Sequence, residues 1–130
     1  MSKVKRKLTT ILATDCVGFS KRMDENEELT LENLKACRSI IDPQIKEFGG
    51  RIFYTAGDSV IAEFESPVEC VNAAIGFQKA INDRNNTLPQ ESQLDWRVGI
   101  HLDDVIIEGD NVYGCLLYTS PSPRDKRQCR

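Results

Sequence analysis

The sequence has 130 residues, of which 40% are hydrophobic and 28% charged, with a formal net charge of −3. That length supports one domain with a real core and excludes a second of comparable size; the acidic balance gives no support for a nucleic-acid partner. The five cysteines, Cys16, Cys37, Cys70, Cys115 and Cys129, are an odd number without CxxC spacing, which argues against a disulfide framework or a metal cluster.

Residues 1–7, with Lys3, Lys5, Arg6 and Lys7, read as a polar lead-in. The apolar run that follows is too short for a signal-peptide core or a membrane span. The chain therefore reads as cytoplasmic, with no membrane segment. Residues 8–14 have strand character, rich in β-branched and apolar side chains. Asp15 stands at the strand's end, and Cys16, Val17, Gly18, Phe19 and Ser20 form a turn into a helical pattern. Asp24, Glu25, Glu27 and Glu28 complement a helix start. Leu31, Leu34, Cys37, Ile41, Ile45 and Phe48 then recur at three- and four-residue steps, an amphipathic stripe that Pro43 should kink or interrupt near Ile41 and Asp42. Gly49 and Gly50 end it.

Residues 51–55 and 59–64 are two strand-like runs, with Gly57 and Asp58 a suitable hairpin loop between them. Ser66, Pro67 and Glu69 are the N-cap, first residue and capping-box partner of a further helix, whose core face is Cys70, Ala74, Phe77 and Ile81. Residues 82–93 are a polar loop. Residues 94–102 read as a strand in which Arg97, Gly99 and the lone His101 alternate with Trp96, Val98 and Ile100. Residues 105–107 read as another short strand, with Asp103 and Asp104 between. Cys37 and Cys70 read as core, and His101 as structural. The order β-α-β-β-α-β-β predicts an α+β fold, a ferredoxin-like α/β sandwich with an antiparallel-rich sheet and helices packed on one face.

A carboxylate at a strand end, followed by a turn exposing backbone N–H groups, suits a metal ion bound to phosphates. By itself such an Asp equally marks a strand end. The hairpin adds a second observation: if it pairs beside the first strand, Asp58 comes next to Asp15. Two converging carboxylates repel unless a divalent cation sits between them.

Four segments carry a further signal: Thr14-Asp15-Cys16-Val17-Gly18-Phe19-Ser20, Gly49-Gly50-Arg51-Ile52-Phe53, Ala56-Gly57-Asp58-Ser59 and Arg97-Val98-Gly99-Ile100-His101. In this order and at these intervals they resemble the class III nucleotidyl cyclase catalytic domain, the adenylate/guanylate cyclase family, and its bacterial members most. The resemblance covers residues 8–114. It implies the same fold and the cyclisation of ATP or GTP to a 3′,5′-cyclic nucleotide and pyrophosphate, with two Mg²⁺ or Mn²⁺ ions per site. It also implies metal binding by Asp15, Asp58 and the backbone of Cys16. The cradle for the outer phosphates would be the backbone of Cys16, Val17, Gly18 and Phe19, and the purine-reading positions Tyr54 and Asn111. Tyr54 stands where the family has Lys or Glu, and Asn111 where it has Asp or Cys, so neither residue selects ATP over GTP. The family's two sites lie between subunits, which implies a homodimer with composite sites.

The match ends abruptly at Gly114. Counting from Asn111, the family's transition-state Asn and Arg fall on Tyr118 and Ser122. Residues 115–130 have a disordered composition, with Ser120-Pro121-Ser122-Pro123 followed by Arg124, Lys126, Arg127 and Arg130. They read as a tail foreign to the family behind a truncated catalytic domain, and the chain is expected to be inactive alone. The competing expectation is a non-catalytic dimerisation or nucleotide-sensing module on the same fold, favoured by Tyr54 and Asn111.

Overall fold

The structure is a computed structural model that describes the backbone of residues 4–108 and 111–113 and the side chains of residues 8–103. The central strand, β1 (Val4–Cys16), leads through the short helix α1 (Phe19–Glu25) into the long helix α2 (Glu27–Glu47). The hairpin β2 (Arg51–Ala56) and β3 (Ser59–Phe64) follows, then α3 (Pro67–Asn85), a 3-10 turn at Gln90–Ser92, β4 (Trp96–Glu108) and β5 (Asn111–Tyr113). The strands form one sheet in the order β2-β3-β1-β4-β5, with every neighbouring pair antiparallel. This is the expected α+β sandwich.

Local signals explain most of the boundaries. Asn26 caps α2, its side chain accepting from Leu29 N at 3.1 Å, and Glu27 and Glu28 lie in the first turn. Ser66 caps α3 in the same way, accepting from Glu69 N at 3.2 Å with Pro67 opening the helix. Gly49 adopts φ 86° after α2, and Gly57 adopts φ 58° in the hairpin, a region that only glycine enters cheaply.

Side chains alternate across β1. Leu12 and Cys16 face the helices and join Leu34, Cys37, Ile41 and Ile45 of α2, Val60, Ala62 and Phe64 of β3, Cys70, Phe77 and Ile81 of α3, and Trp96 of β4 in one core. Cys37 and Cys70 are therefore core residues, as read from the stripe. Each large apolar side chain buried there is worth about 1.5–3 kcal/mol before entropy is counted.

Four expectations need correction. Asp24 and Glu25 end the separate short helix α1, and only Glu27 and Glu28 lie in the first turn of α2. Residues 4–7, read as lead-in, belong to β1, because Val4–Lys7 pair with residues 105–108 across the ladder. Asp103 and Asp104 do not separate two strands. They pair with Thr9 and Leu8 inside a continuous β4, which follows the long central strand beside it for its full length. Pro43 does not interrupt α2, which runs unbroken through it. Cys37, Ile41 and Ile45 on either side are fully buried, and that packing holds the helix across the missing N–H.

Candidate active site at the end of the central strand

Among the described residues no helix packs on the other face of the sheet, and the strand register says what it presents. Tyr54, Ile61, Ala13 and Gly99 form one row across β2, β3, β1 and β4, and the next row toward the strand end pairs Asp15 with Arg97. Nothing lies within 4 Å of where a Cβ on Gly99 would stand, whereas Ile61 in the same row and Ile11 further along this face are buried. Tyr54, 46% exposed, stands on the same face near the sheet edge.

Asp58 reaches the site from the hairpin. Because Thr14 pairs with Val60, the loop before β3 lies at the end of β1. There Asp58 Oδ2 accepts a hydrogen bond from the Cys16 backbone N–H at 2.8 Å. The hairpin thus brings the second carboxylate against the residue next to the first. Both are partly exposed. Asp15 in turn receives the Arg97 guanidinium, Nε to Oδ1 2.9 Å. That bond raises the Arg97 pKa further, with Asp58 adding to the same field.

The turn after β1 is anchored rather than free. The Cys16 N–H is taken by Asp58, and the Val17 N–H donates to the Asp95 carbonyl at 2.8 Å. Gly18 follows at φ 66°, and its carbonyl accepts from Arg22 N at 3.0 Å as α1 begins at Phe19. Of the expected phosphate cradle, the Cys16 and Val17 N–H groups are therefore taken up in shaping the turn. The Cys16 side chain points into the core. Burial, with the Asp58 charge adding, pushes its thiol up to about 12, so it stays protonated. Only its backbone is available to a ligand.

Among the described residues no three His, Cys, Asp or Glu side chains converge as a complete metal centre. Two carboxylates and a backbone carbonyl are hard oxygen donors. They suit Mg²⁺ or Mn²⁺, which keep waters and take further oxygens from a triphosphate. The guanidinium on Asp15 shows that this corner already attracts positive charge. Asn111 opens β5 opposite Glu108, and its side chain lies outside the described residues, as do Tyr118 and Ser122. Sequence reasoning missed Arg97 as a site residue. Its strand alternation with Gly99 and His101 was visible, but its register against Asp15 was not.

A curated protein of Rhizobium meliloti (strain 1021), "Putative adenylate cyclase 3", is 35% identical over 112 residues, 85% of this chain and 19% of that protein. "Serine/threonine-protein kinase pkn2" of Myxococcus xanthus is 30% identical over 114 residues, 87% of this chain and 14% of that protein. The chain thus spans less than a fifth of the length of either curated relative. The crystal structure of an adenylate/guanylate cyclase/hydrolase from Silicibacter pomeroyi has a TM-score of 0.78 at 30% identity, covering 98% of this chain and 72% of that one. No protein-family model matches the chain.

Proposed function

Because the chain belongs to the class III adenylate/guanylate cyclase catalytic-domain family, we propose that residues 8–114 are part of a purine nucleotide cyclase domain, carrying the metal and triphosphate half of its site. The observation that supports this most is Asp58 bonded to the Cys16 amide one residue beyond Asp15, since a pure scaffold needs no second carboxylate there. In this reading Asp15, Asp58 and the Cys16 carbonyl hold two Mg²⁺ or Mn²⁺ ions. When bound, the ions lower the pKa of the attacking 3′-hydroxyl and neutralise the departing pyrophosphate.

The chain's own residues do the rest of this half reaction. Asp58, fixed by the Cys16 N–H, presents its remaining oxygen lone pairs to the site. The Gly18 and Phe19 backbone receives the outer phosphates. Arg97, paired with Asp15, has an exposed guanidinium, 63% accessible, that would pair with a phosphate of the nucleotide. Tyr54, half-exposed on the same face, stands where a base could stack or hydrogen-bond.

The Asn and Arg that complete the reaction in the family match Tyr118 and Ser122 here. An Arg aimed at a phosphoryl transition state is worth on the order of 10³–10⁵ in rate. We therefore expect no measurable cyclic AMP or cyclic GMP from this chain with Mn²⁺ and ATP or GTP. Turnover should appear when the segment after Gly114 is replaced by a family-like one with Asn and Arg at positions 118 and 122, and it should depend on homodimerisation. Silence of a folded, dimeric, repaired chain would favour the non-catalytic module, with Tyr54 and Asn111 as its cause.

A further inference from the structure

Asn85 ends α3 at 5% exposure, and nothing in the reaction above uses it. Its whole amide is engaged by the first residues before β4. Nδ2 donates to the Leu94 carbonyl at 3.0 Å and to Asp95 Oδ1 at 3.3 Å, while Oδ1 accepts from Leu94 N at 3.3 Å. Only a side chain with a donor and an acceptor side by side can close both backbone groups of one residue. This clasp fixes the peptide that follows, and the carbonyl of Asp95 is the group that holds the Val17 N–H at 2.8 Å.

That contact lies just beyond the last β1–β4 pair, Cys16 with Trp96. It ties the turn of residues 17–19 to the α3–β4 connection, where the strand ladder no longer reaches. The Arg22 guanidinium, bonded to the Gln90 and Glu91 carbonyls at 3.2 and 3.1 Å, is a second tie at the surface. The carboxylates depend on neither. Asp15 is held within the ladder with β4, and Asp58 by the β3 hairpin and the Cys16 amide.

We propose that Asn85 is a positioning residue for triphosphate binding: through Leu94 and Asp95 it sets where Val17, and with it the Gly18 and Phe19 backbone, stands relative to the carboxylate pair. This rests on the cyclase reading and deepens it, separating the site into a metal half held by strands and a phosphate half held from behind by the end of α3.

The test compares the parent chain with Asn85→Ala, Asn85→Ser and the surface variant Asp95→Ala, which removes only one bond of the clasp and keeps the question open to measurement if the buried variants fail to fold. Amide exchange at Val17, and calorimetric affinities for Mn²⁺ alone and for Mn²⁺–ATP, are measured where each chain is folded. In the Asn85 variants Val17 exchange should rise about tenfold or more. Mn²⁺ affinity should stay within about twofold, while Mn²⁺–ATP affinity falls about five- to tenfold, with Asp95→Ala in between. A merely structural Asn85 would lower stability and leave both affinities of the folded chain unchanged, which would overturn the proposal, as would equal loss of both. Unchanged Val17 exchange with intact parent binding would remove Asn85's role alone. Absence of Mn²⁺–ATP binding in the parent chain would remove the cyclase reading, and this role with it.

Discussion

Asp15, proposed above as a ligand of a divalent cation, already carries a guanidinium, with Arg97 Nε 2.9 Å from Oδ1. Exposed pairs of this kind contribute about 0.2–1 kcal/mol, small enough for a dication to displace. Removing the competitor should therefore help the metal and harm the nucleotide. We expect Arg97→Gln to bind Mn²⁺ alone about two- to fivefold more tightly, by that lost competition, and Mn²⁺–triphosphate more weakly. Paired titrations check both signs, and a change of the same sign in both would show that Arg97 does not exchange partners. Asp15 and Asp58 were legible as candidates from a strand end and a hairpin loop. The Arg97 partnership was not, because cross-strand register follows from the whole sheet rather than from any local pattern. The Asn85 clasp was hidden for the same reason: an Asn at the end of a helix pattern looks like any helix terminus until its partners are placed.

At the scale of elements, caps and stripes carried the prediction well. Ser66 starts α3 as read, and the Leu34, Cys37, Ile41, Ile45 series is the buried face of α2. Three of the misses share one physical origin, long-range pairing or packing that outweighs a local breaker. Asp103 and Asp104 look like a turn but continue a strand because β1 lies beside them. Pro43 looks like a break but sits exposed in a helix whose flanking residues Ile41 and Ile45 are buried. The register shift between Ile52 and Tyr54 in β2 was likewise invisible, although it helps set which face Tyr54 takes. The junction of α2 and β2 offers a sharp test. A Cβ on Gly50 would stand 2.5 Å from Phe64 Cζ and 2.7 Å from Ile45 Cγ2, inside a filled core. Gly50→Ala should cost about 1–3 kcal/mol by overpacking, read as a lowered denaturant midpoint. Gly99→Ala, where a Cβ meets nothing within 4 Å, should cost far less. Equal costs would mean that the α2–β2 junction relaxes freely.

For the molecule as a whole, α2 and α3 cover one face of the sheet, and the other carries Asp15, Arg97 and Tyr54, each at least partly exposed, beside the buried Ile11 and Ile61. Among the described residues no helix is long and apolar enough to cross a membrane. The core also makes stability depend on pH. Burial raises the Cys16 thiol from its ordinary 9.0 to about 12 and the Cys70 thiol to about 11, and raises Cys37 as well. Between pH 9 and those values the folded chain holds protons that the unfolded chain releases, so this stabilisation is complete below pH 9 and is lost as pH rises above it. Denaturant midpoints should fall between pH 9 and 11 in the parent chain and fall less steeply in a Cys16→Ala, Cys70→Ala double variant. Parallel slopes would show that these thiols titrate normally in the fold.

The central claim is that this chain holds the metal and triphosphate half of a cyclase site even without the residues that would complete turnover. It is tested most directly by calorimetric titration of ATP and GTP into the folded chain with Mn²⁺, with excess chelator, and in Asp58→Asn, whose amide oxygen can still accept from the Cys16 N–H while the charge is gone. The account predicts binding of at least one of the two nucleotides in Mn²⁺, none with chelator, and a loss of about tenfold or more in Asp58→Asn. Equal affinity with and without the cation, or an Asp58→Asn chain that binds as the parent does, would contradict it.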